Sequence, residues 1–135
     1  MTEPKQHICA VGTARFGYRG HIRQRVLDTT IKSATGLGAV FAPTWAMVMD
    51  WKRGVIDWDT YTQQYTELMR ERYQKNQAAF LEALESEELI VCCYCKDTYA
   101  STRHCHRYLL VDILHKVAVH HQIDFKSLGE VHTRL

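Results

Sequence analysis

The apolar residues of this chain fall into short continuous runs, separated by longer segments that carry a single apolar stripe. The short runs predict β-strands at residues 8–12, 25–31, 89–95 and 123–125. The second run is rich in β-branched residues, and the third is apolar at almost every position. Strands that are buried on both faces have this composition, which is typical of parallel sheets.

The longer segments repeat their apolar residues at helical spacing. Pro43 or Thr44 suits the first turn of one helix, Gly54 suits its end, and Asp57 suits the cap of the next helix. Helices are therefore predicted at residues 21–24, from within 41–45 to 54, at 58–84 and at 105–119. Because strands alternate with helices, the pattern predicts an α/β fold around a mainly parallel sheet.

Length and composition are those of one globular domain, residues 1–135, with 46% apolar and 24% charged residues. No apolar run is long enough for a signal peptide or a membrane span, so we expect a cytoplasmic protein that does not bind membranes. The chain has five cysteines. In a reducing compartment this odd count favours free thiols or a metal site over a disulfide framework.

The net charge of +2 is small, but basic residues are concentrated near the start of the chain. Residues 1–32 hold six basic side chains against two acidic ones. Such an excess can serve a phosphate-bearing ligand, and it can equally be a solvated basic face. The charge distribution is therefore compatible with a phosphate-bearing partner but does not require one.

The motifs Cys93-x-Cys95 and Cys105-His106-Arg107 flank a polar loop between a predicted strand and a predicted helix. Side chains alternate along a strand, so Cys93 and Cys95 are expected to point the same way. The carboxyl edge of a parallel sheet is where open α/β proteins usually bind ligands. A thiol in the first turn of the following helix would have a lowered pKa, and Arg107 could grip a phosphate or carboxylate.

Two chemical hypotheses follow from these motifs. One is a zinc site made of Cys93, Cys95, Cys105 and either His104 or His106, since thiolates and imidazoles suit zinc. The other is a catalytic site in which Cys105 or Cys95 is the nucleophile and His106 the acid or base.

The same residues also fit a purely structural role. Free cysteine is among the most buried residue types, and Arg107 would then pair with an acid such as Asp112. The spacing of the cysteines matches no zinc-finger or zinc-ribbon pattern. The residues by themselves therefore leave all three hypotheses open.

Other polar candidates follow the first two predicted strands. Asp28 and Lys32 could be an acid/base pair, a ligand clamp or a simple ion pair. The glycine-rich segment with Thr13 and Arg15 could cradle a phosphate, although it is neither a Walker loop nor the dinucleotide fingerprint. Because the carboxyl ends of parallel strands meet at one edge, we expect these residues to gather near the cysteines.

Aromatic residues are concentrated in the middle third of the chain, at Trp45, Trp51, Trp58, Tyr61 and Tyr65. Stacked nucleobases bind to such surfaces. Aromatic residues at helical spacing also pack into cores, and this spacing favours the core interpretation.

Four motifs stand in a fixed order along the chain: VLDTTIKS at residues 26–33, FAPTW at 41–45, the Cys93-x-Cys95 motif, and CHRYLL at 105–110. Together they resemble the bacterial and phage family known as domain of unknown function 488. The long predicted helix at residues 58–84 resembles the phage-borne branch of that family.

The resemblance implies a Rossmann-like, three-layer α/β layout and an activity that is unassigned. Many relatives carry an acid where this chain has Cys95, so metal or thiol chemistry could replace carboxylate chemistry here. The resemblance also implies an active or metal-binding site formed by shared polar residues, namely Thr13, Arg15, Asp28, Lys32, Ser33, Thr44, Trp45, Cys93, Cys95, Cys105, His106 and Arg107.

We therefore expect an enzyme that acts on a phosphate-bearing substrate, either a nucleotide or a nucleic acid. The alternative is a non-enzymatic binding module for a host protein or small molecule, with structural or zinc-binding cysteines. The catalytic candidates are Cys95, Cys105, His106 and Asp28. The candidate zinc ligands are Cys93, Cys95, Cys105 and His106. The candidate substrate-binding residues are Thr13, Arg15, Lys32, Ser33, Thr44, Trp45 and Arg107.

Overall fold

The computed structural model describes residues 8–94 and 104–131. Its strands are β1 (Ile8–Arg15), β2 (Gln24–Asp28), β3 (Glu88–Cys93) and β4 (Asp124–Glu130). They form one sheet in the order β2-β3-β1-β4, and every neighbouring pair is parallel. The prediction of a mainly parallel sheet is confirmed, and the carboxyl ends of these strands lie at the same edge.

The described part of the chain contains five helices: α1 (Leu37–Val40), α2 (Trp45–Lys52), α3 (Trp58–Lys75), α4 (Gln77–Leu84) and α5 (His106–His120). Helices α1 and α5 pack directly on the strands, whereas α3 packs against α2, α4 and α5. The arrangement agrees with the predicted Rossmann-like, three-layer α/β domain. Among the described residues, no helix is both long enough and apolar enough to cross a membrane.

Side-chain alternation gives the two faces of the sheet different neighbours. On β3, Leu89 and Val91 point into the main core beneath the helices, whereas Ile90 and Cys92 point to the opposite face. By the same alternation, Cys93 lies on the helix-covered face, where it contacts Arg107 of α5. The opposite face is packed by Ala14 and by the partly buried side chains of Tyr18, Val26, Leu128 and Val131.

The helix caps follow the predictions, but the longest predicted helix is divided in two. Thr44 Oγ1 accepts a hydrogen bond from the Met47 amide at 3.2 Å, and Asp57 Oδ1 accepts one from the Thr60 amide at 2.8 Å. Asn76, with φ −147° and ψ 61°, separates α3 from α4. This break lets the apolar residues of both pieces face the same core.

Several predicted boundaries are wrong. Strand β2 ends at Asp28, before the predicted end at residue 31, and β4 continues to Glu130, past the predicted end at residue 125. Residues 21–24 form a turn and the first residue of β2 in place of a short helix, and α1 lies in a segment where no helix is predicted. Strand β1 continues through residues 13–15, beyond its predicted end at residue 12, because it pairs there with β3. Residue 95, the predicted end of the third strand, lies outside the described residues.

Candidate functional site

The end of β3 and the start of α5 bring two buried cysteines together. The Sγ atoms of Cys93 and Cys105 are within bonding distance, and their Cα atoms are 7.9 Å apart. Cys105 is the N-cap residue of α5. The sequence favoured free thiols or a metal, but this geometry also permits a disulfide. Cys9 and Cys92 are free and buried.

The His106 ring is buried and held in one tautomer. Its Nε2 atom lies 3.0 Å from the carbonyl oxygen of Thr29 and 2.9 Å from the Thr29 hydroxyl, which itself donates to the carbonyl oxygen of Cys92. A carbonyl oxygen only accepts hydrogen bonds, so Nε2 carries the hydrogen and Nδ1 keeps a lone pair. Nδ1 lies 4.0 Å from Cys105 Sγ. Burial lowers the pKa of His106 to about 4, so the ring is neutral near pH 7.

The Arg107 guanidinium is fully buried between a carboxylate and the two sulfur atoms. Its Nε and Nη2 atoms donate to the two carboxylate oxygens of Glu130, at 3.2 and 2.7 Å. Its Nη1 atom donates to Cys93 Sγ at 3.2 Å and to Cys105 Sγ at 3.4 Å. A cation in this position stabilises negative charge on sulfur.

Glu130, at the end of β4, is the acid that pairs with Arg107, in place of the suggested Asp112. Burial raises the pKa of Glu130, but hydrogen bonds from Arg107 and Tyr108 and the charge of Arg107 outweigh it and hold this pKa below its usual value. The Thr13 hydroxyl has no hydrogen bond of standard geometry within the described residues, yet it lies close enough to help lower the pKa of Glu130. Sequence reasoning missed Glu130 because it ended the last strand at residue 125.

A cavity of about 430 Å³ is lined in part by Cys105 and His106. Its wall includes five Trp and Tyr side chains, and the Trp58 ring stacks on both Tyr61 and His104, with centroid separations of 4.9 and 4.7 Å. Further lining residues are Thr30, Lys32, Trp45, Trp51, Lys52 and Tyr94. The aromatic residues therefore divide between the core and the wall of the cavity. Tyr65 is fully buried in the core, whereas the tryptophans line the cavity.

Asp28 and Lys32 make separate contacts. The Asp28 carboxylate accepts hydrogen bonds from the Thr30 amide at 2.9 Å and from the Ser33 hydroxyl at 2.5 Å, which fixes the turn after β2. The Lys32 ammonium lies 5.3 Å from the centroid of the Trp45 ring, at the cavity. The lysine therefore lines the cavity, whereas the acid holds the turn.

Of the remaining candidates within the described part of the chain, only Arg15 is shown at the same edge of the sheet as the cysteines. Arg15 is exposed at the end of β1, in register with Cys93, so it lies at the same edge of the sheet. The Thr44 hydroxyl is used as the cap of α2. Cys95, predicted as both nucleophile and zinc ligand, lies outside the described residues.

Together these features define a small, parallel α/β protein in which a Cys/His/Arg cluster meets an aromatic cavity. The chain belongs to the family described as the active DUF488-N3 subclade, whose model matches residues 2–118. The match confirms the resemblance to domain of unknown function 488, and it ends within α5, before Glu130. Searches of curated proteins and of solved structures found no match.

Proposed function

We propose that this protein is an enzyme that acts on a phosphate-bearing substrate with a planar base. The substrate would be a nucleotide, free or within a nucleic acid strand. The observation that carries the proposal is that Cys105 and His106 line the same cavity as Trp45, Trp51 and Trp58. Reactive groups and a stacking surface are thereby available to one bound molecule.

The cavity has the size and lining that a base requires. Its volume of about 430 Å³ lies within the range of about 300–1,000 Å³ typical of small-molecule sites. Trp58 is only partly buried, although its ring already stacks on Tyr61 and His104. Trp45 keeps 49% of its surface exposed, so its ring is accessible to a ligand. Aromatic faces of this kind bind every base, because each base has a π-face.

Cations beside this aromatic wall support recognition of a phosphate. Lys32 and Lys52 both line the cavity, and Arg15 is exposed at the same edge of the sheet. An ammonium group acts on phosphate as a compact point charge. A base stacked in the cavity would therefore place its phosphate within reach of Lys32.

The chemical step would depend on Cys105 and His106. The Nδ1 lone pair of His106 faces the sulfur of Cys105, as required for a base that accepts a thiol proton or for a ligand that shares a metal with it. Arg107 was a candidate for holding the substrate. Its burial and its contacts with both sulfur atoms instead support a positioning role toward the cysteines.

Binding can be tested by following tryptophan fluorescence during titration with nucleoside mono- and triphosphates and a short single-stranded oligonucleotide. Trp45→Ala should weaken binding by about 1–3 kcal/mol, which is roughly 5- to 150-fold, because Trp45 has the accessible ring. Lys32→Gln should weaken binding of the phosphorylated ligands, whereas Lys126→Gln, on β4, should not. The absence of binding by every one of these ligands would contradict the proposal.

Turnover can be tested by mass analysis of the same ligands after incubation with the protein, with zinc and a reducing agent present. Cys105→Ser should abolish product formation and leave binding within a few-fold. The matched variant Cys92→Ser replaces a buried cysteine on the opposite face of the sheet and should keep activity. Binding without any product in the wild-type protein would support the binding module instead.

A further inference from the structure

We infer that Cys93, Cys105 and His106 bind one zinc ion, through the two Sγ atoms and Nδ1. The ligand atoms that these buried residues offer all lie within 4.8 Å of one another. A tetrahedral zinc, with bonds of about 2.3 Å to sulfur and 2.0–2.1 Å to nitrogen, holds such atoms about 3.5–3.8 Å apart. The inference deepens the proposed function, because it names an ion at the same site.

The orientation of His106 is the one that a zinc ligand needs. Its Nε2–H group donates to the carbonyl oxygen of Thr29, which fixes the ring and turns the Nδ1 lone pair toward Cys105. Histidines that ligate metals almost always donate their other ring N–H to a carbonyl, carboxylate or water. The Thr29 carbonyl therefore supplies this supporting contact.

The backbone spacing of the two cysteines favours an ion between them. Their Cα atoms are 7.9 Å apart, whereas disulfides usually join Cα atoms about 4.4–6.8 Å apart. Zinc binding requires the two Sγ atoms, which lie within bonding distance, to move apart to the spacing of zinc ligands, and the wide backbone separation leaves room for this. The observed separation therefore suits two thiolates that bind one metal better than it suits a bond between the sulfurs.

The charges around the site also balance when zinc is bound. Two thiolates neutralise the ion, and Glu130 neutralises Arg107 through two hydrogen bonds. The Arg107 Nη1 atom donates to both sulfurs, as donors to metal-bound thiolates do. The buried cluster then carries no net charge, which avoids the cost of an unpaired charge in the interior.

The position of the ion would give it a role in the reaction. Cys105 and His106 line the aromatic cavity, so an ion bound to them faces the proposed substrate. Three protein ligands with a further position for water or substrate are typical of catalytic zinc. Such an ion would polarise a phosphoryl oxygen or activate a bound water.

The test is cobalt titration of full-length, untagged, metal-free protein kept under a reducing agent. We expect one Co²⁺ per chain, with thiolate-to-cobalt charge-transfer bands and the visible bands of a tetrahedral ion. Stoichiometric zinc should abolish these bands by displacement. Cys93→Ser and Cys105→Ser should each lose most of the charge-transfer absorption, whereas the matched variant Cys92→Ser should keep it. Circular dichroism establishes that each variant is folded.

Failure of this inference can be told apart from failure of the proposed function. Wild-type protein that binds no stoichiometric metal would overturn the inference, and so would a charge-transfer band that survives in both folded serine variants. Nucleotide titrations of the metal-free protein, followed by tryptophan fluorescence, test the cavity separately. Nucleotide binding without metal binding would leave the proposed substrate class intact and overturn only the zinc site.

Discussion

The Arg107 guanidinium is a fully buried cation. The free energy that its burial costs therefore depends on the carboxylate that faces it. Glu130 meets it with two oxygens and is itself held by the Tyr108 hydroxyl. A buried charge that loses its partner destabilises a protein far more than a surface pair does. We therefore expect Glu130 to contribute strongly to the stability of the site, although it lies outside the segment that the family model matches.

Glu130→Gln is expected to lower the free energy of unfolding by about 3 kcal/mol, because it leaves the Arg107 charge buried without a counter-charge. Urea unfolding in the presence of a chelator and a reducing agent measures this loss of unfolding free energy without a contribution from bound metal. The matched change Glu82→Gln breaks an exposed ion pair with Arg25 and should cost less than about 1 kcal/mol. Equal losses in both variants would argue against an energetic role for the buried pair.

The stabilising effect of the Glu130 carboxylate should disappear in acid. Its pKa in the folded protein is lowered, whereas the unfolded value is about 4.3. Protonation of Glu130 therefore favours the unfolded chain. The stabilisation that its carboxylate provides is complete above the pKa of the unfolded state, and it is lost as the pH falls through the pKa of the folded state. The difference in unfolding free energy between wild type and Glu130→Gln should shrink below about pH 4. A difference that is constant from pH 7 to pH 3 would contradict this assignment.

At the scale of elements, α5 connects the site to the core. Its first turn carries His106 and Arg107, while Leu110 and Leu114 on the same helix are fully buried against the sheet. The position of the cluster therefore depends on how firmly this helix packs. Val119, on the same helix, is 66% exposed and provides a control.

Leu114→Ala should destabilise the protein by about 2–5 kcal/mol, since it removes apolar contacts and leaves a cavity beneath α5. Val119→Ala removes apolar atoms from a solvent-exposed position of the same helix and should change stability by less than about 0.5 kcal/mol. Chemical denaturation of the two variants measures both values. A loss below 1 kcal/mol for Leu114→Ala would mean that α5 is not packed as described.

At the scale of the whole molecule, the parallel sheet gathers groups that are far apart in the chain. Thr29 follows β2, Cys93 ends β3 and Glu130 ends β4, and all three contact residues at the start of α5. By contrast, Cys9 and Cys92 are buried in the sheet, where burial raises their pKa values to about 11 and about 12. The fold thus separates two protected thiols from the pair at the site.

Alkylation with iodoacetamide near pH 7.5 should accordingly leave Cys9 and Cys92 unmodified in the folded protein, because the thiolate is the reactive form. Both should react fully once urea unfolds the chain. Peptide mass analysis of labelled samples across a urea series gives the result for each cysteine. Rapid labelling of either residue in the absence of urea would show that this part of the sheet opens on its own.

Several elements could be predicted from the sequence because their signals are local. Thr44 and Asp57 cap their helices by accepting hydrogen bonds from amides three residues away. The apolar run of β3 predicts a buried parallel strand. The same alternation places Cys92 and Cys93 on opposite faces. The short helix predicted at residues 21–24 is wrong, because pairing with β3 draws residue 24 into a strand.

The sequence by itself determined the kind of fold, the caps of two helices and the edge of the sheet where Cys93, Cys105, His106 and Arg107 meet. Periodicity, caps and the carboxyl edge of a parallel sheet all depend on residues near one another in the chain or on one general rule of topology. Only the tertiary structure decided that Glu130 neutralises Arg107, since that contact requires β4 to pair beside β1. It also decided that Thr29 orients His106, because no local pattern relates two residues 77 positions apart.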